Sequence, residues 1–225
     1  MSDEAKRMAA GAAVELVLDG MRLGIGTGST AEHFIHLLAQ RVKAGLSVTG
    51  IATSERSAEL CSRLGIPLTN LDETPSLDLA VDGADEFDGA LNLIKGGGGA
   101  LLREKIVAAA AKRFVVIADA SKQVAVLGAF PLPVEIIPMA RQPLSQRLAK
   151  LGAVVALRQT ADGKPFRSDE NHWILDCAFG PAITDPPRLA HTLSGMPGVV
   201  EHGLFCGMTE RVLLGSDDQV TVINS

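Results

Sequence analysis

Met21-Arg22-Leu23-Gly24-Ile25-Gly26-Thr27-Gly28-Ser29-Thr30 is the stretch whose reading decides the fold. A short apolar strand over residues 21–25 passes through a glycine-rich turn directly into a helix over 30–42, where Phe34, Leu37, Leu38 and Val42 recur at helical spacing. The same alternation extends outward. Residues 5–18 read as a helix before it; after it come a strand over 46–52, a helix over 54–64 closed by Gly65, and a strand over 77–81. An extended piece over 91–94, a helix over 100–112 and a strand over 114–118 follow. Strands alternating with helices imply parallel crossovers, and hence an open α/β sheet with helices on both faces.

The pattern changes at Phe130-Pro131-Leu132-Pro133. From there the order is a strand over 134–137, a helix opening near Pro143, strands over 154–158 and 173–178, a helix over 186–193 and a strand over 199–204. This β-α-β-β-α-β order suits a small ferredoxin-like α+β domain with an antiparallel sheet. Two short apolar strands, 212–214 and 220–223, joined at Asp217-Asp218, end the chain and are placed to return to the first sheet. The expected architecture is therefore a Rossmann-like, open, mostly parallel α/β domain over 1–130 and 206–225, interrupted by an inserted α+β domain over 131–205.

Composition narrows the function. The chain has 225 residues, 47% apolar and 21% charged, with 23 glycines and a formal net charge of −5. That is enough to bury a core without staples. An acidic balance argues against nucleic acid as a partner, and aromatics at 4%, with no tyrosine and one tryptophan, leave little for base stacking. Residues 1–8 mix acids and bases without the apolar core of a signal peptide, and no apolar run is long enough for a membrane span. Cys61, Cys177 and Cys206 are an odd number, far apart and never in a C-x-x-C pair, so neither a disulfide framework nor a zinc ribbon is expected, and a reducing cytoplasm fits.

In open α/β sheets, ligands bind outside the carboxyl ends of the strands, so the loops there carry the chemistry. The first is Gly26-Thr27-Gly28-Ser29-Thr30, where glycines admit an anion to the helix N-terminus and the three hydroxyls add hydrogen bonds. No lysine precedes the Ser-Thr pair, so it is not a Walker loop; Gly26-x-Gly28-x-x-Ala31, with Glu55 beyond the second strand, also fits a dinucleotide turn. The second is Asp82-Gly83-Ala84-Asp85-Glu86-Phe87-Asp88, four carboxylates in seven residues. Such crowding is unfavourable unless something binds there. Asp82 and Asp85 read as site residues, Glu86 and Asp88 as turn formers. The third is Lys95-Gly96-Gly97-Gly98-Gly99, whose glycines permit close backbone approach to a ligand, with Lys95 as a cation beside the acidic loop; a flexible hinge is the alternative. The fourth, Asp119-Ala120-Ser121-Lys122, offers Lys122 as a further phosphate or hydroxyl contact.

Glu104 is the most informative single residue. Its helical neighbours Ala100, Leu101, Val107 and Ala108 are all apolar, so its carboxylate projects from the buried face and leans back toward the glycine loop. Desolvation raises the pKa of such a group and suits it to act as a general base; a salt bridge across helices is the alternative. His33 and His36 lack a third ligand and read as a solvated face, and His172, His191 and His202 have no partner pattern. No G-x-S-x-G elbow or Cys-His signature is present. Acid/base groups and anion binders remain, with neither nucleophile nor redox centre evident.

Taken in order, Gly26-Thr27-Gly28-Ser29-Thr30-Ala31, Val81-Asp82-Gly83-Ala84-Asp85-Glu86, Lys95-Gly96-Gly97-Gly98 with Leu102-Arg103-Glu104-Lys105, Ile117-Ala118-Asp119-Ala120-Ser121-Lys122 and Pro131-Leu132-Pro133-Val134-Glu135 resemble the A-type ribose-5-phosphate isomerases. The likeness continues through Pro197-Gly198-Val199-Val200 and Gly203-Leu204-Phe205. It implies a metal-independent aldose-ketose isomerase of the pentose phosphate pathway, assembled as a homodimer or dimer of dimers. By motif position, Glu104 is then the proton-transferring base, and Asp82, Asp85 and Lys95 surround the sugar. Substrate contacts fall on residues 27–30, Asp82, Gly83, Ala84, Asp85, Lys95, Gly96, Gly97, Gly98 and Lys122. Two other readings stay open: a sugar-phosphate sensor using the same crevice without turnover, and a nicotinamide-dependent enzyme using the Gly26-x-Gly28 turn.

Overall fold

The structure is a computed structural model describing residues 3–225; Met1 and Ser2, where the reading of residues 1–8 begins, lie outside the described residues. Helix α1 (Asp3–Val14) leads to β1 (Arg22–Ile25), α2 (Ser29–Lys43), β2 (Thr49–Ala52), α3 (Glu55–Leu64) and β3 (Leu79–Asp82). Two short strands, β4 (Glu86–Phe87) and β5 (Leu93–Ile94), precede α4 (Leu101–Ala110) and β6 (Phe114–Asp119), which ends in a 3₁₀ turn, Ala120–Lys122. The chain continues through β7 (Leu132–Ile136), a 3₁₀ turn at Pro138–Ala140, α5 (Arg141–Lys150), β8 (Val154–Leu157), β9 (Trp173–Ala178) and α6 (Pro186–Ser194). It closes with β10 (Val199–His202), β11 (Leu204–Phe205), β12 (Arg211–Gly215) and β13 (Val220–Asn224). Two compact units result: one holds the chain up to Ala84 with Arg103–Gln123 and Met208–Ser225, the other Asp85–Leu102 and Val124–Gly207.

The first unit is built on a six-stranded sheet in the order β13-β12-β6-β3-β1-β2, parallel except for β13 at the edge. The expected return of the C-terminal hairpin to this sheet is what the pairing of β12 with β6 achieves. Helix α2 carries the chain from β1 outward to β2, and β3 then pairs on the other side of β1, so the strand order reverses between β1 and β3. That reversal opens a crevice at the strands' carboxyl ends. Leu23, Ile25, Leu79, Val81, Val115 and Ile117 form the sheet's contribution to the core, with Ala9, Ala13, Phe34 and Leu38 from α1 and α2 packed on it. Each large side chain fully buried this way contributes about 1.5–3 kcal/mol. Helix α1 stops short of the expected residue 18 because the Arg41 guanidinium donates to the carbonyls of Val14 (2.6 Å) and Val17 (3.1 Å), satisfying helix-end acceptors while the chain turns away.

The second unit contains an antiparallel sheet ordered β10-β7-β9-β8. With β7, β8, β9 and β10 as the first to fourth strands of the β-α-β-β-α-β unit, this is the 4-1-3-2 order of a ferredoxin-like fold. Its core gathers Leu132, Val134, Ile136, Leu144, Leu148, Leu175 and Leu193. The single strand expected over 199–204 is two strands, because the chain bends at Gly203, whose amide donates to Pro133 O and whose carbonyl accepts from Lys95 N, both at 2.8 Å. β11 thereby joins β5 and β4 in a small antiparallel sheet ordered β11-β5-β4 that the apolar patterning did not announce. Glu86, expected as a turn former, instead lies in β4, 4% exposed, accepting from the amides of Gly128 and Phe130. Asp88 does form the expected turn, its Oδ1 accepting from Ala90 N and Asn92 N at 2.9 Å each.

At the amino ends of the parallel strands, Asp78 accepts from the Arg22 backbone and Nε (3.0 Å each), Arg22 Nη2 (2.9 Å) and Lys112 Nζ (2.9 Å). The Arg22 side chain, then its backbone amide, then Lys112 hold the Asp78 carboxyl well below the usual carboxylate range. A lowered native pKa adds stability that is complete above the unfolded-state value of 3.8 and disappears as pH falls through the native value. Asp78→Asn should therefore lower the unfolding free energy by about 1 kcal/mol at pH 7, a figure kept small by solvent screening. Denaturant titrations should show that difference narrowing below pH 3.8.

Candidate active site

The carboxyl ends of β1 and β3 are adjacent: Ile25 pairs with Val81, and Gly26 N donates to Val81 O at 2.9 Å. Gly26 lies so close to the next strand that a Cβ there would stand 2.2 Å from Asp82 Oδ1, so a side chain at this position and the observed Asp82 rotamer are mutually exclusive. Asp82, 3% exposed, uses the vacated space to accept from Thr27 N (3.0 Å) and Gly83 N (2.7 Å). The first and second loops are thus tied by a carboxylate.

Beyond it, α2 begins at Ser29, directing its first amides out of the turn. Thr27 differs from its expected role as a ligand hydroxyl. Its Oγ1 contacts Thr53 Oγ1 (2.7 Å), Ser54 Oγ (2.8 Å) and Ser57 Oγ (3.1 Å), which fills a hydroxyl's capacity and makes Thr27 a strut of the cradle. Ser57 in turn donates to Gly26 O at 2.8 Å. The hydroxyls facing outward belong to Ser29 and Thr30, and Ser29 Oγ accepts from Lys6 Nζ at 2.8 Å. Lys6 is a cation at the cradle that sequence reading missed: it sits on α1, 23 residues before Ser29, and nothing local marks it.

Helix α4 runs back across the sheet from its carboxyl edge. Val107 Cγ1 would be 2.5 Å from a Cβ on Gly24, so this face of the helix lies directly on β1. Glu104, one turn earlier on that face, is 6% exposed, and Ala100, Leu101, Val107 and Ala108 around it are all buried, as the helical spacing required. Gly24 and Ala80 lie on the same side of the sheet as Gly26 and Asp82, so Glu104 and Asp82 share one face at one end of it. Lys122, half-buried, follows β6 at the same edge, in a turn capped by Asp119 Oδ1 accepting from Ser121 N at 2.9 Å.

In the second unit, Glu86 pairs with Ile94, which sets Asp85 opposite Lys95 at the open end of the β4–β5 pair. Asp85 N donates to Ile94 O at 2.8 Å, and Asp85 Oδ2 accepts from Gly97 N at 2.7 Å. Lys95 is 2% exposed, its ammonium 5.5 Å above the centre of the Phe205 ring, a cation–π contact that confines it. Gly96 has φ +96°, and Gly99 N closes the turn on Gly96 O at 2.9 Å. The glycine run is therefore a defined turn in the structure. Glu55 is not poised as a ribose acid: its Oε1 accepts from Arg103 Nη1 at 2.7 Å.

Residues 49–219 match the family of ribose 5-phosphate isomerase A (phosphoriboisomerase A). The chain belongs to this family. It is 53% identical to ribose-5-phosphate isomerase A of Parvibaculum lavamentivorans over 230 residues, covering 100% of this chain and 99% of that one. It is also 53% identical to that of a Synechococcus species, again covering 100% of this chain and 99% of the relative. Among solved structures, ribose 5-phosphate isomerase A of Methanocaldococcus jannaschii superposes with a TM-score of 0.95 at 40% identity, both chains fully covered. A D-ribose-5-phosphate isomerase in complex with phospho-erythronic acid superposes with a TM-score of 0.97 at 37% identity, also over the whole of both chains.

In this member of the isomerase family several of the other reactive side chains are engaged or buried elsewhere. His33 Nε2 meets Asp3 Oδ1 at 3.0 Å, and His172, for which the sequence shows no partner pattern, hydrogen-bonds through Nδ1 to the buried Glu135 at 3.0 Å. Burial pushes the Cys61 thiol up to about 11 and, with Asp176 adding to it, the Cys177 thiol up to about 12. Neither is a nucleophile near neutrality. Titration with a disulfide reagent at pH 8 should label no more than one thiol per native chain, at Cys206, and all three after unfolding.

Proposed function

We propose that this chain interconverts D-ribose 5-phosphate and D-ribulose 5-phosphate through an enediolate. The observation that carries the reading is the gathering of an anion cradle, Asp82 and the buried Glu104 at one end of one sheet. Membership of the isomerase family supports it over a sensor or a nicotinamide enzyme. The ligand of the relative adds to this: phospho-erythronic acid carries a phosphate at one end and, at the other, a planar carboxylate shaped and charged like an enediolate.

The amides at the start of α2, the hydroxyls of Ser29 and Thr30, Lys6 and Lys122 bind the phosphate, with Gly28 leaving room for it. Anchoring that end orients the reacting carbons before any bond changes. Asp82, Gly83, Ala84, Asp85 and the Gly96, Gly97 and Gly98 backbone hold the sugar hydroxyls, and Asp82 assists ring opening. Glu104 removes the proton from C2; the C–H electrons become the C1–C2 π bond, and the former carbonyl pair moves onto O1. Lys95 offsets the charge that develops there. Glu104 then returns the proton to C1 as a second proton passes from O2 to O1, leaving the carbonyl at C2.

Functionally, 1–130 with 206–225 is then the catalytic part, supplying every residue named, and 131–205 the smaller α+β part; compactness divides the chain differently, with Asp85–Leu102 falling in the second unit. Assembly as a homodimer or homotetramer is supported by the edge strand β8, where Val154 is 76% exposed. A cytoplasmic site fits three cysteines of which no two are bonded.

Incubation of the wild type with ribose 5-phosphate in heavy water should yield the ketose with deuterium at C1; saturable binding without turnover sinks the proposal. Glu104→Gln should lower kcat by about 10²–10⁴-fold and abolish exchange at C2 while leaving KM within a few fold. Lys6→Ala should instead raise KM about tenfold, reflecting a lost charge-assisted hydrogen bond, with kcat little changed.

A further inference from the structure

Arg158 follows β8 and is assigned to the catalytic machinery by no motif, yet its guanidinium makes four hydrogen bonds. Nε donates to Asp176 Oδ2 at 3.0 Å and Nη2 to Asp176 Oδ1 at 2.5 Å, a two-point fork that fixes the plane of the group. The remaining nitrogen, Nη1, donates to the carbonyls of both Gly96 and Gly97, at 3.0 Å each. The ring of Phe166 packs 5.8 Å from the guanidinium carbon and lies so near the turn that a Cβ on Gly99 would stand 2.5 Å from it. The Arg158 side chain is only 15% exposed.

These contacts dictate where the loop's amides point. In a trans peptide the C=O and N–H vectors are opposed. With Gly96 O aimed at Arg158, Gly97 N–H faces the other way, where Asp85 Oδ2 takes it at 2.7 Å. With Gly97 O aimed at Arg158 as well, Gly98 N–H also faces away from it, at a residue that is itself exposed. Four successive glycines have no intrinsic reason to hold such an arrangement. We propose that Arg158, braced by Asp176, is a positioning residue for the isomerisation: it clamps the Gly96 and Gly97 carbonyls so that the Gly97 amide meets Asp85 and the Gly98 amide is presented on the substrate side of the loop. This rests on the reading that residues 95–98 contact the sugar.

Lysine cannot reproduce the fork, because a single ammonium cannot hold the carboxylate at two points and both carbonyls at once. Arg158→Lys and Arg158→Ala should accelerate amide hydrogen exchange in a peptide spanning 95–101 and lower kcat about 10–100-fold, the scale of a small misplacement of reacting groups. KM for ribose 5-phosphate should change less than threefold, because the phosphate is bound elsewhere. Asp176→Asn, which keeps Arg158 but weakens its brace, should give an intermediate effect on both readouts; it stands in if the alanine variant does not fold. Unchanged exchange at 95–101 in Arg158→Lys overturns the clamp itself. Faster exchange with unchanged kcat also overturns the proposal, by showing that the loop the clamp orders is not used in catalysis, while retained deuterium incorporation keeps the isomerase reading intact.

Discussion

A carboxylate seated where a side chain is missing organises the first unit's site. Gly26 must lack a Cβ for Asp82 to reach the Thr27 and Gly83 amides, and those two bonds set the course of both loops leaving β1 and β3. An ionised acceptor on a backbone amide is stronger than a neutral one. The strand order reverses at this same pair, so the crevice opens where the loops are already fixed. Much else at the cradle is arranged around that constraint: Ser57 holds Gly26 O, and Thr27 spends its hydroxyl on Thr53, Ser54 and Ser57.

The motif Asp82-Gly83-Ala84-Asp85 repeats the device. Asp85 takes the Gly97 amide in the second unit as Asp82 takes the Thr27 amide in the first. Each glycine-rich loop is thus anchored by one aspartate of a four-residue segment. Backbone donors need such anchoring, because glycine loses more conformational entropy on ordering than other residues. A loop ordered before substrate arrives spends less binding energy on its own immobilisation.

The features legible in the sequence are those written within a few residues. The alternation of strand and helix, the polar turns after β1, β3 and β6, and the apolar collar around Glu104 are local patterns, and the sheet and the burial of Glu104 follow them. Asp88 was readable for the same reason, since its partners are two and four residues away. Glu86 was not, because its partners are amides more than 40 residues on, and a carboxylate in an acidic run gives no sign that it will be buried in a strand. Lys6 and Arg158 escape for the same physical reason. Their partners lie 23 and about 60 residues away, and only tertiary packing brings them together.

The charge distribution completes the argument. A chain of net charge −5 repels a phosphosugar at long range, and the 26 acidic residues outnumber 21 basic ones. Beyond a Debye length of about 8 Å in physiological salt that repulsion is screened, so what a ligand meets in the crevice is set by the nearest groups. In the first unit those are Lys6 at the cradle, Lys122 after β6 and the amides opening α2. A net acidic chain and a local cluster of cations and amides at the cradle are therefore compatible, the net charge bearing on solubility and the local groups on the short-range field.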